Sequence, residues 1–260
     1  MKTILDVRNL CKDFEDTKVL NNISFKADEG EFIAIMGQSG SGKSTLLYNI
    51  SGMDRPTSGN VLFCGKDISK LEDEKMSVVR LNQMGFIFQH SYLLKNLSIR
   101  DNIVLPVFKS GKLSREQANQ NADTLMAKTG IAGVADHDIK KVSGGQLQRA
   151  AICRALINQP DVLFGDEPTG ALNSSISREV MDIINAVNRE GTTVIIVTHD
   201  AKVAARADRV VFLIDGNIHE ELALGKYEAD EKKRSSREKR LSQWLEKQGF
   251  YIVILKPGVV

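Results

Sequence analysis

Nine residues, GQSGSGKST at 37–45, constrain this chain more than any other stretch. They fit the spacing G-x-x-x-x-G-K-[ST] and lie between an apolar run, EFIAIM (31–36), and an apolar-periodic, helix-compatible stretch, TLLYNISGM. A buried strand, a glycine-rich loop and a helix in that order form a cradle for phosphate. Successive backbone amides point inward, the helix N-terminus adds partial positive charge, and Gly37, Gly40 and Gly42 let the backbone approach closely. Lys43 is expected to reach the β- and γ-phosphates and Ser44 to hold magnesium, with Gln38, Ser39, Ser41 and Thr45 completing the loop.

The rest of the chain reads as the scaffold such a loop needs. Short β-branched runs, GFIFQ (85–89), DVLFG (161–165), TTVIIVT (192–198) and RVVFLI (209–214), alternate with longer helical patterns, which predicts a parallel sheet covered by helices. The first thirty residues, with ILDVRNL, KDFED and ISFKADEG, predict short amphipathic strands of a small antiparallel sheet, and the stretch from about 90 to 160, including 114–130, an inserted helical subdomain. With 42% hydrophobic and 26% charged residues the composition is that of a globular chain. A formal charge of +2 gives no basic excess, so no nucleic-acid partner is expected. The alternating MKTILDVRNL predicts a strand in place of a signal peptide, and the apolar runs VVFLI and YIVIL fall far short of the roughly 20 residues that span a bilayer. The expectation is a cytoplasmic protein that reaches a membrane only through a partner. Cys11, Cys64 and Cys153 are odd in number and widely spaced, as reduced thiols are.

A magnesium site needs an acidic element, and DVLFGDEP supplies one. A strand ending at the same sheet edge as the phosphate loop would place Asp166 against the metal and Glu167 one residue nearer the γ-phosphate, as the residue that polarises the attacking water. His199, after the run VIIVT, and Gln89, after GFIF, should emerge at that edge too, Gln89 touching both magnesium and water.

A second glycine-bearing loop, VSGGQLQRA (142–150), runs directly into a helical pattern. Taken in order, GQSGSGKST, Gln89, VSGGQLQRA, VLFGDEP, GALN and His199 resemble the ATP-binding-cassette (ABC) ATPases over roughly residues 1–222. The resemblance implies an α/β P-loop fold with a mostly parallel core sheet, a small antiparallel β subdomain and an inserted helical subdomain. It implies ATP and Mg2+ as ligands and a homodimer in which Ser143, Gly144, Gly145 and Gln146 close on the ATP held by the second copy. It also implies that Phe14 stacks on adenine, the alternative being an ordinary core phenylalanine. Two departures stand out: Val142 replaces the usual leucine of the signature, and Asn173 the usual aspartate that ends the GALN loop.

No motif repeats, as it would in a two-cassette translation factor. The segment between phosphate loop and signature is too short for the coiled coil or zinc module of a chromosome ATPase. A stand-alone P-loop kinase would have no use for the signature and His199. The resemblance therefore implies a subunit, peripheral on the cytoplasmic face of the plasma membrane, that drives a separate membrane permease. GMDRPTSGNVLFCGKDI, MGFIFQHSYLLKNLSIRDNIVLP and GDEPTGALNS resemble the subgroup of macrolide export, lipoprotein release and bacitracin-type peptide resistance, the last most closely. The expected domains are an ATPase domain at 1–225 and a charged helical extension at 226–260. In the extension Leu241, Trp244 and Leu245 form an apolar stripe, read either as part of a solvated terminal helix or as a surface docking on a partner subunit or permease.

Overall fold

The computed structural model describes residues 2–15 and 17–250; positions 251–260 of the expected extension, including the run YIVIL, lie outside them. In chain order the elements are β1 (Thr3–Phe14), β2 (Thr17–Asp28), β3 (Phe32–Gly37), α1 (Lys43–Ile50), β4 (Ser58–Phe63), β5 (Lys66–Asp67), α2 (Asp73–Gln83), β6 (Met84–Phe88), α3 (Ile99–Ser110), α4 (Arg115–Lys128), α5 (Gly144–Leu156), β7 (Val162–Asp166), α6 (Ser174–Arg189), β8 (Thr193–Val197), α7 (Ala201–Ala204), β9 (Arg209–Ile214), β10 (Asn217–Ala223) and α8 (Glu231–Lys247).

Among the described residues six strands form the central sheet, in the order β10-β9-β3-β8-β7-β6. All its pairings are parallel except the β9–β10 hairpin. The run EFIAIM is apolar throughout because both faces of β3 are covered. Ile33 and Ile35 point into a core shared with the antiparallel sheet and α1, while Phe32, Ala34 and Met36 point into a second core beneath α5, α6 and α7. The smaller sheet, β2-β1-β4-β5, is antiparallel. The runs ILDVRNL and KDFED are not separate strands: all of the first and the start of the second lie in the single 12-residue β1, which carries register shifts where its alternation breaks. A third cluster, built from α3, α4 and α5, is the core of the helical subdomain.

The tail departs from both of its readings. Leu241 and Leu245 are fully buried, but within this chain: they join the core beneath α6 and α7. Trp244 packs edge-on against Phe212 of β9, ring centroids 5.8 Å apart, and donates its indole N–H to Glu220 at 2.9 Å. Arg237, one turn before Leu241 on the same face, fastens the start of the helix, donating to the carbonyls of Ala205 (2.9 Å), Ala207 (2.6 Å) and Leu224 (2.9 Å). The stripe therefore docks in cis. The face it covers is the outer surface of β9 and α7, which would otherwise expose Phe212 and a row of alanines.

Candidate functional site

Strands β3, β6, β7 and β8 run parallel, so everything following their carboxyl ends emerges at one sheet edge. The phosphate loop leaves β3 and enters α1 with Gly42 as N-cap at φ 92°, a left-handed conformation that only glycine adopts without strain. A Cβ on Gly42 would also meet Leu20 at 2.9 Å and the Val19 carbonyl at 3.0 Å, so the loop lies against β2. Within the loop the Gln38 carbonyl accepts from the Lys43 ammonium at 2.7 Å and from the Ser41 amide at 3.2 Å. Ser39 and Gly40 are exposed at the tip. Ser41 is buried, and among the described residues its hydroxyl has no hydrogen-bond partner, an orphaned polar atom inside the cradle. Desolvation lowers the Lys43 pKa, opposed by the nearby carboxylates of Glu167 and Asp166.

Asp166 ends β7 and receives two hydroxyls from α1. Ser44 donates to Oδ1 at 2.8 Å and Tyr48 to Oδ2 at 2.6 Å. Burial and the bond to Asp166 raise the Tyr48 pKa, keeping the phenol protonated. The sequence reading missed Tyr48, although it stands four residues after Ser44 on one face of α1.

Glu167 occupies a left-handed backbone conformation, φ 48°, unusual for a non-glycine residue and common at functional turns. Its Oε1 lies 2.9 Å from His199 Nδ1. With the carboxylate ionised, Nδ1 must carry the proton and donate. The other oxygen borders the same small space as the Gln89 amide: a Cβ built on Gly170 would sit 3.1 Å from both Glu167 Oε2 and Gln89 Nε2. Gly170 thus marks a gap shared by the two side chains. Asp166, Glu167, Ser44, Lys43, Gln89 and His199 lie together at this sheet edge. Thr45 is part of α1, its carbonyl accepting from Asn49.

Phe14 ends β1 two residues beyond Lys12, which pairs across the hairpin with Leu20 beside the loop. The residue is 49% exposed and the centroid of its ring lies 4.7 Å from the Lys12 ammonium, so it is not the core phenylalanine of the alternative reading. Ser143 caps α5 in a reciprocal box: its hydroxyl accepts from the Gln146 amide at 3.3 Å, and the Gln146 side chain accepts from the Ser143 amide at 2.8 Å. Ser143 and Gly144 are exposed, whereas Gly145 is buried against α6, where a Cβ would fall 2.8 Å from Ile176. Asn173 caps α6, accepting from the Ile176 amide at 3.0 Å, a role aspartate fills equally well.

The donor set suits magnesium. Among the described residues no three His, Cys, Asp or Glu side chains cluster as a closed metal cage. Magnesium characteristically takes one or two protein oxygens, with phosphate and water supplying the rest.

Comparison with known proteins agrees with this geometry. Residues 20–170 match the ABC transporter family. The macrolide export ATP-binding/permease protein MacB of Campylobacter jejuni is 38% identical over 250 residues, 96% of this chain; the chain spans only 37% of that relative's length. The lipoprotein-releasing system ATP-binding protein LolD of Leptospira interrogans is 38% identical over 229 residues, covering 88% of this chain and 94% of LolD. Among solved structures, the dimeric ATP-binding cassette MJ0796 in a post-hydrolysis state bound to ADP and Pi superimposes with a TM-score of 0.79. It is 34% identical to this chain, covering 86% of this chain and 100% of its own. The chain belongs to the ABC transporter family, as an ATP-binding, ATP-hydrolysing cassette of α/β fold.

Proposed function

We propose that two copies of this chain enclose two ATP molecules and that the closure and reopening of this homodimer drive a separate membrane permease. The observation that carries the reading is the clasp on Glu167. His199 fixes one carboxylate oxygen and leaves the other beside Gln89, at the sheet edge where the phosphate loop ends. In this reading Oε2 polarises the attacking water, a role that typically contributes about 10²–10⁴ in rate. Lys43 and the loop amides hold the β- and γ-phosphates, and Phe14 offers its exposed ring to adenine. Ser44, Gln89 and Asp166 would hold magnesium, which supplies charge neutralisation at the phosphates when bound.

The signature is assigned to the partner's nucleotide. Ser143 and Gly144 are exposed at the N-terminus of α5, and the capping box occupies the serine's lone pair while leaving its hydroxyl proton free to donate to phosphate. A dimeric relative that holds ADP and Pi supports the arrangement. The 1–225 unit is the ATPase domain, with 90–160 as its helical arm and 226–250 fastened to it.

For the permease, Met53, Arg80, Met84, Phe88, Pro106 and Arg154 line a groove between α2, α3 and α5 beside the Gln89 turn. Exposed Val78, Leu105 and Phe108 extend the apolar surface on α2 and α3. Among the described residues no helix is long and apolar enough to cross a membrane. The proposed location is the cytoplasmic face of the plasma membrane, held there by the permease. The assigned process is antimicrobial-peptide resistance, on the motif resemblance given above. Lipoprotein release is the second reading, favoured by the match along nearly all of LolD, and macrolide export a third, favoured by MacB.

Glu167→Gln tests the mechanism. It should bind ATP, trap a closed dimer and hydrolyse about 10²–10⁴ more slowly; near-normal turnover refutes the assignment. Mass spectrometry of proteins co-purifying with the chain tests the permease, and recovery of no membrane protein overturns that part.

A further inference from the structure

We infer that Gln148 is a positioning residue that sets the separation between the Gln89 and Glu167 turns and links both to the signature helix. Strands β6 and β7 are paired to their last residues, with Phe88 opposite Asp166, and then diverge. One branch continues into Gln89, the other into Glu167 and Pro168. The Gln148 side-chain amide closes this fork: Nε2 donates to the Phe88 carbonyl at 2.9 Å and to the Pro168 carbonyl at 2.7 Å. Each of its two protons serves one branch.

Three further features make this a device and not an incidental contact. Gln148 is 2% exposed, so water does not compete for either carbonyl. It stands on α5, whose N-cap is Ser143, and a helix is stiff over so short a span, so a displacement of the signature loop carries the amide with it. Downstream of the fork, Gln89 and Glu167 converge again on the gap marked by Gly170. A shift in either carbonyl therefore changes how those two side chains face each other. In a dimer whose signature loop touches the partner's nucleotide, engagement of one ATP would adjust the hydrolytic geometry at the other through a single residue.

This inference rests on the proposed roles of Gln89 and Glu167, and the test separates the two levels. Gln148→Met keeps the volume and removes both donors. The expected result is a fall in kcat of about 10- to 100-fold, the order produced by misplacing reacting groups by about 1 Å, with the Kd for ATP unchanged within about twofold. Gln148→Asn keeps both donors on a shorter arm; it should fall between wild type and Met in kcat, and it keeps the test available if the Met variant fails to fold. In a Gln89→Ala background the Met substitution should cost much less than it does alone, because residues acting through one another are non-additive. Unchanged kcat, a loss confined to ATP affinity, or fully additive losses would overturn the inference. Normal turnover of Glu167→Gln would instead refute the water-polarising role and leave the coupling of Gln148 to Gln89 standing.

Discussion

Leu245→Ala should destabilise the whole cassette, although the residue lies outside every nucleotide motif. Leu245 is fully buried in the core beneath α6 and α7, flanked by Leu241 and by the Trp244–Phe212 contact. Truncating a fully buried leucine costs about 2–5 kcal/mol, from lost transfer energy plus the cavity left behind. The site lies under a helix at the edge of the fold, which can partly settle into the gap, so about 3 kcal/mol is the expected value. For a chain of this size that corresponds to a fall in Tm of about 6–12 °C. Trp244 is the sole tryptophan in the sequence, so its emission reports the docking of α8 with no other indole contributing. The assay is thermal melting followed by tryptophan fluorescence and, in parallel, by far-ultraviolet circular dichroism. A lower midpoint should appear by both probes, and the folded variant should retain a blue-shifted emission. A variant that melts within about 1 °C of wild type yet loses dimer or permease assembly would refute the reasoning and restore a partner-facing stripe.

Lys43→Ala should lose ATP affinity, by more than tenfold in a binding titration, because it removes a charge-assisted phosphate contact worth about 1.5–3 kcal/mol. Ser143→Arg should leave ATP binding to the isolated subunit intact while abolishing hydrolysis; failure to bind ATP would show that the signature acts on its own chain's nucleotide. Gly170→Ala should fold normally and turn over slowly, since its methyl would press on Gln89 and Glu167 at 3.1 Å, and steady-state kinetics at wild-type activity would show that the gap tolerates displacement.

The phosphate loop was legible because its physics is local: nine contiguous residues carry the amides, the glycines, the lysine and the hydroxyl. Strands buried on both faces were legible for the same reason, with ends displaced by a residue or two. What escaped depends on distant partners. β4, β5 and β10 carry mixed polar and apolar residues and become strands through pairing with β1, β4 and β9 respectively. The apolar stripe of α8 was expected on a solvated helix or against a partner and instead packs within the chain, because periodicity shows that a face is apolar but not which surface receives it. Gln148 was hidden because nothing local to VSGGQLQRA shows that its amide meets two carbonyls far apart in sequence.

The strand that delivers the phosphate loop also sets a schedule for synthesis. β3 has β8 on one edge and β9 on the other, pairing Ile33 with Ile195 and Gly37 with Leu213. At ribosomal rates of about 5–20 residues per second, it waits on the order of 10–30 s for both neighbours. During that interval a fully apolar segment with two open edges is an aggregation-prone part of the nascent chain, and chaperone occupancy there should fall once β9 has left the exit tunnel.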